Sequence, residues 1–203
     1  MTRVQTTRAL AIVAVSLIAA ALAPAADLRP EMLDHTPAPY ADDADLPEAL
    51  RAMYLPQGAL ERLTEVSSSA DGPVRSVRVA WLSGDRYLWR IELAQPLTGD
   101  QSMNVYVDAD DDPATGRGDA RGTDLMLQIG PDTQRASEWM ADGTVAASRG
   151  LRAAIDGALV WFSYDHALAA VDGGAACTFW VNLPGGGIEP VAALVPAEGP
   201  QPL

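Results

Sequence analysis

From Asp108 to Asp124 the chain reads Asp-Ala-Asp-Asp-Asp-Pro-Ala-Thr-Gly-Arg-Gly-Asp-Ala-Arg-Gly-Thr-Asp, with aspartate at 108, 110, 111, 112, 119 and 124. Carboxylates are ionised at neutral pH and repel one another when crowded into one loop. A bound dication relieves that repulsion, and calcium takes six to eight oxygens from Asp side chains and loop carbonyls. The alternation Asp108, Asp110, Asp112 suits such a shell, because residues two apart in a curling loop can point inward together. Pro113 and Gly116 supply the tight turn and Thr115 can cap it, while Asp124 returns a fourth carboxylate from the next strand. Asp108, Asp110, Asp112 and Asp124 are therefore the candidate ligands of a structural calcium ion. The loop departs from the helix-flanked calcium loop, which requires glycine at its sixth position and favours glutamate at its twelfth. Here these are Pro113 and Asp119. With no His or Cys nearby, zinc and copper are poor fits. An acidic, solvated hairpin loop without metal is the alternative reading.

The elements that must hold this loop read as strands. Val77, Val79 and Trp81 alternate with Arg78, Ala80 and Leu82; after Ser83-Gly84-Asp85 the alternation resumes in Tyr87, Trp89, Ile91 and Leu93, which predicts a hairpin. Met103, Val105 and Val107 give a third strand ending at Asp108, and Leu125, Leu127 and Ile129 a fourth beginning after Asp124. Further strands are expected over 137–140, 144–148, 158–164 and 177–183, punctuated by Asp142-Gly143, Asp156-Gly157 and Asp172-Gly173-Gly174. Many short strands with turn dipeptides between them predict an all-β fold. It is an antiparallel two-sheet sandwich of immunoglobulin-like or jelly-roll type, occupying 59–195 as one domain. A helix of one or two turns is expected over 165–171. The Gly- and Pro-rich stretch from Pro184 is expected to cross the domain without regular structure, with a disordered tail over 196–203. Ahead of the domain, residues 26–58 read as a leader. It holds one short N-terminal helix, from Asp45-Leu46-Pro47-Glu48 to about Tyr54, which either packs on the domain or forms a mobile arm.

Arg3 and Arg8, the apolar run 9–23 and Ala23-Pro24-Ala25 make residues 1–25 a cleavable signal peptide, too short to span a bilayer as a helix. The chain is expected to be exported, to the periplasm or the extracellular space, with no membrane insertion after cleavage. Removing 1–25 takes away two Arg and no acid. That leaves 12 Arg against 27 Asp and Glu, a net charge of −15. So acidic a protein repels phosphate backbones and anionic headgroups, which excludes nucleic acid and membrane surfaces as partners and leaves cations, glycans or another exported protein. Cys177 is the only cysteine, so stability must come from the core and not from an internal disulfide.

The string Val105-Tyr106-Val107-Asp108-Ala109-Asp110-Asp111-Asp112-Pro113-Ala114-Thr115-Gly116, followed by Gly122-Thr123-Asp124-Leu125, resembles a segment of bacterial extracellular β-sandwich domains. These are similar to family 9 carbohydrate-binding modules and DOMON-like domains. There a strand carrying Asp-x-Asp ends in an Asp-Pro-x-Thr-Gly-type turn, and a Gly-x-Asp opens the next strand. The resemblance covers about residues 103–127. It implies a calcium-bearing sandwich of the kind appended to secreted enzymes, and it matches Asp108, Asp110, Asp112 and Asp124. The aromatic clamp of sugar-binding members is not located by the motif.

By parity Trp81 and Trp89 belong to the core. Trp180 lies opposite the face of Phe179 and Val181, beside Thr178 and Asn182, and Tyr106 shares its face with Asn104 and Asp108. With Trp161, these are the candidate ligand-binding residues, since aromatic faces stack on sugar rings. No catalytic residue is assigned. His35 falls in the leader, and His166 has no activated nucleophile in its sequence surroundings. A carboxylate pair for glycoside hydrolysis would have to sit in apolar surroundings that the sequence does not offer. The sequence reads as an exported, non-catalytic binding or accessory module with a calcium-stabilised loop, with carbohydrate as the candidate ligand. The alternatives are an envelope or periplasmic structural or protein-interaction domain without a glycan ligand and, ranked below it, a small secreted hydrolase.

Overall fold

The computed structural model describes residues 48–197, apart from 52, 54, 57, 141, 148 and 149. The signal peptide expected over 1–25, the expected leader as far as 47 (with the Asp45 cap) and the tail from 198 lie outside the described residues. In chain order the elements are α1 (Glu48–Arg51), β1 (Thr64–Ser68), β2 (Val74–Ser83), β3 (Arg86–Leu93), β4 (Met103–Asp108), β5 (Leu125–Gly130) and β6 (Thr133–Trp139). They continue with β7 (Val145–Ala147), β8 (Arg152–Asp156), β9 (Leu159–Asp165), β10 (Ala169–Val171), β11 (Gly174–Leu183) and β12 (Gly186–Pro196).

Two antiparallel sheets face each other, as the alternation requires. Sheet A runs β1-β2-β3-β9-β8. Sheet B is built on β11, which pairs with β12 along one side and with β4 and β10 along the other, and continues β4-β5-β6-β7. The period-two residues meet between the sheets. Val77, Val79, Tyr87, Trp89, Ile91, Val160, Phe162 and Tyr164 come from sheet A. Met103, Val105, Val107, Leu125, Leu127, Ile129, Phe179 and Val181 come from sheet B. Trp89 stacks on Phe162 at 5.7 Å and makes a T-shaped contact with Phe179 at 5.4 Å across the sandwich, so three rings join the sheets. Cys177 is buried in the same core, and burial, with Asp108 and Asp111 near, pushes its thiol up to about 12, which keeps it protonated and inert.

Several elements differ from expectation for physical reasons. The stretch 165–171, Ala-rich and a good helix former, instead contributes β10, because Ala169 to Val171 find partners in β11 and Ala169 N donates to Ala109 O. Beyond Pro184 the chain is not irregular: β12 is an 11-residue strand whose Val191, Ala193 and Val195 pack on the core. Its register slips opposite Trp180, where Glu189 and Pro190 together face one residue of β11. This bulge accommodates a proline that a regular ladder would not. At the other end, α1 ends at Arg51, before Tyr54. Leu50, Met53, Leu55 and Ala59 form a second apolar cluster with Ala80, Leu82, Leu88, Ala154 and Trp161 on the outer face of sheet A. Leu50, Met53, Leu55 and Ala59 are thus packed on the domain. No helix among the described residues is long and apolar enough to cross a membrane.

Candidate functional site

Val107 and Leu125 are the last pair of the β4–β5 ladder, so Asp108 leaves one strand where Asp124 enters the next, and Asp124 N donates to Val107 O. The Asp-rich loop is pinned at this neck. Asp124 Oδ2 accepts from Ala109 N at 2.8 Å and from Asp110 N at 3.4 Å. Asp112 N lies 3.2 Å from Asp108 Oδ1 and 3.0 Å from Asp110 Oδ1, and the Thr115 hydroxyl is within 2.9 Å of Asp110 Oδ2. Gly116, in the left-handed region at φ 60°, lets the loop fold back on itself: a Cβ there would stand 2.5 Å from Thr123 O and 2.7 Å from Asp124 Oδ1.

Asp108, Asp110 and Asp124 offer carboxylate oxygens that all lie within 4.8 Å of one another, with Asp108 and Asp124 buried and Asp110 exposed. This group could hold a metal ion, and its all-oxygen donor set suits a hard cation. Asp112 is not part of the group. Its Oδ1 accepts from Ala114 N at 2.9 Å, turning the side chain into a local turn. Asp111, at φ 57°, reaches the other way and accepts from the Thr178 hydroxyl. Asp119 pairs with Arg117, which holds its carboxyl below the usual range.

Burial, then the nearby Asp124, Asp110 and Asp111, push the Asp108 carboxyl up to about 6; burial raises Asp124 as well. An unfolded Asp titrates near 3.9. Between that value and 6 the folded chain binds more protons than the unfolded one, so stability falls as pH rises through the window. In chelator, the thermal midpoint is therefore expected to rise as pH is lowered from 7 to 5, and Asp108→Asn should flatten the rise. Asp119, with its lowered value, loses its contribution only at more acid pH. A midpoint indifferent to pH between 7 and 5 would contradict the crowding of these carboxyls.

The second half of the same loop, Arg117 to Arg121, forms one wall of a pocket of about 380 Å³ on the outer face of sheet B. Tyr106 and Trp180, direct cross-strand partners, stack at 5.3 Å with their planes 6° apart on its floor. Asn182, Glu189 and Pro190 close the far side. Two of the three aromatics expected at a ligand site are thus brought together, although Trp180 is only 9% exposed. Trp161 is not with them. It lies on the other sheet, 6% exposed, clustered with Leu50, Met53, Leu55 and Ala59 and with Arg90 over its ring. The sequence reading missed Arg121, Asn182 and Glu189 as pocket residues. The outward parity that marks Trp180 marks Asn182 too, but the bulge that brings in Glu189 leaves no pattern.

His166 is also more engaged than a surface histidine. Its Nδ1 lies 3.6 Å from Glu138 Oε1, which accepts from the Tyr164 hydroxyl, and its backbone N donates to Asp85 O. The chain matches no family model, no curated protein and no solved structure. The likeness at residues 103–127 therefore stands on those residues alone.

Proposed function

We propose that the protein is an exported, non-catalytic binding or accessory module in which calcium braces the loop from Asp108 to Asp124 and a neutral saccharide unit is held against Tyr106 and Trp180. The observation that supports this reading best is the double use of one loop. Its first half gathers Asp108, Asp110 and, at the neck, Asp124, and its second half walls the aromatic pocket. Calcium rather than magnesium follows from the chemistry of the donors: clustered carboxylates with loop carbonyls beside them suit a large cation of flexible coordination, whereas magnesium keeps much of its water. The pocket groups fit hydroxyl-rich rings. Asp119 and Glu189 accept, Asn182 does both, and Arg121 donates, with the two acids and two arginines of the lining balancing in charge. Export rests on the Arg3, Arg8, 9–23 and Ala23-Pro24-Ala25 pattern.

Affinity electrophoresis in gels carrying soluble plant, fungal or bacterial polysaccharides tests the saccharide. Retardation in at least one gel is expected, and Tyr106→Ala should weaken it about tenfold, the equivalent of ~1.4 kcal/mol from one lost aromatic contact. Migration unaffected by every polysaccharide would remove the glycan and leave the protein-docking alternative.

A further inference from the structure

We propose that the cavity at the end of the sandwich opposite the Asp-rich loop binds a small organic amine, with the ammonium group at Asp71 and the apolar body over Leu93, Leu97 and Leu183. This cavity of about 440 Å³ lies between three connections, β1–β2, β3–β4 and β11–β12. Its volume falls in the range of about 300–1,000 Å³ common to small-molecule sites. Gln101 comes just before β4 and Asp108 ends it, so the cavity and the candidate metal group stand at opposite ends of one strand. The cavity shares no lining residue with the Tyr106–Trp180 pocket. Its floor is the end of the core: Leu93 and Leu97 are buried in the inter-sheet cluster, and Leu183 packs against it.

The walls are held in place before any ligand arrives. Pro73, Pro96 and Pro184 restrict the backbone of one connection each. Ala94 N donates to Pro73 O, which ties the β3–β4 connection to the β1–β2 turn. Gly130 lets Gln101 O approach a spot where a Cβ would stand only 2.4 Å away. A cavity already shaped loses little freedom on binding. The polar lining then selects the charge. Asp71 is the only charged residue that lines the cavity, and its carboxylate has no hydrogen bond or ion pair among the described residues. Donors are scarce beside it. The three prolines have no N–H, and the amides of Gly72, Leu93, Ala94 and Gln101 already donate to Ser69 Oγ, Ala158 O, Pro73 O and Thr98 O. A carboxylate beside an apolar floor, with no arginine in the lining, fits a ligand that brings its own donors and a positive charge on a hydrocarbon body. The chain's formal net charge of −13 draws such cations to its surface and repels anions.

Amide NMR of the full chain, titrated at neutral pH with hexylammonium chloride and separately with hexan-1-ol as the neutral probe, tests the site. Saturable shifts are expected at Gly72, Leu97 and Gly185. Hexylammonium should bind about fivefold more tightly than the alcohol, the preference that an ion pair at a partly open carboxylate supplies. Asp71→Asn, at an exposed bend, should keep the fold and remove the preference. Gln95→Arg, which sets a positive charge on the exposed rim, should weaken hexylammonium and leave the alcohol unchanged. No saturable shift, equal binding of the two probes, or shifts confined to the loop from Asp108 to Asp124 would overturn the proposal. A capped Gly-Lys-Gly peptide, run alongside, reports whether a lysyl side chain supplies the same group. If it binds more tightly than hexylammonium, a free amine is not the ligand.

Discussion

Millimolar calcium is expected to raise the thermal midpoint by roughly 5–10 °C, and EDTA to remove the rise. An ion that binds only the native state stabilises by about 2.7 kcal/mol at 100 times its dissociation constant. For a domain of this size each kcal/mol moves the midpoint by about 2–4 °C. The response should vanish in Asp110→Ala, which takes away the exposed member of the group but leaves the buried neck of Asp108 and Asp124 in place. Asp112→Ala is the informative control. That side chain serves Ala114 N and stands outside the group, so the variant should be less stable yet keep its calcium response. Equal melting curves in calcium and EDTA would rule out the brace, and equal loss in both variants would put Asp112 back among the ligands.

Phe162→Ala should cost about 3–5 kcal/mol, the largest effect expected of any single change, and lower the midpoint on the order of 10 °C. Phe162 is fully buried and stacks on Trp89, which makes a T-shaped contact with Phe179 of the other sheet, so the lost ring leaves a void at the joint between sheets. Urea denaturation would read the change as a lower midpoint at unchanged slope. A loss below about 1 kcal/mol would mean that the two sheets do not depend on this contact.

The residues that bury themselves between the sheets were legible because side chains alternate strictly along a strand. Val105 and Val107, Tyr87 and Trp89, Phe179 and Val181 announce their face two by two. The Asp-rich loop was legible for a different reason, since so many like charges in one turn demand compensation. Parity could not say whether an outward face is open. Trp161 and Trp180 look alike in sequence, yet one is covered by Leu50, Met53, Leu55 and Ala59 and the other lines a pocket between the loop and Pro190. Nor could alternation alone place Asp112, whose short side chain found a backbone amide two residues on before any shared centre. The strands β1 and β8, Thr-Glu-Val-Ser-Ser and Arg-Ala-Ala-Ile-Asp, lie on the rims of sheet A with little apolar content to betray them. Pro190 hid β12, because a proline inside an alternating run argues against a strand unless a bulge absorbs it.

That same proline governs how the molecule behaves in a crowd. β12 is a rim of sheet B, long enough to template the addition of a foreign strand. Pro190 and Pro196 withhold two of its amide donors, the kink at Glu189–Pro190 breaks its straight run, and the opposite rim, β7, is three residues long. Neither of these two borders of sheet B offers the uninterrupted row of donors and acceptors from which fibrils grow, so β12 and β7 are poor templates for edge-to-edge polymer.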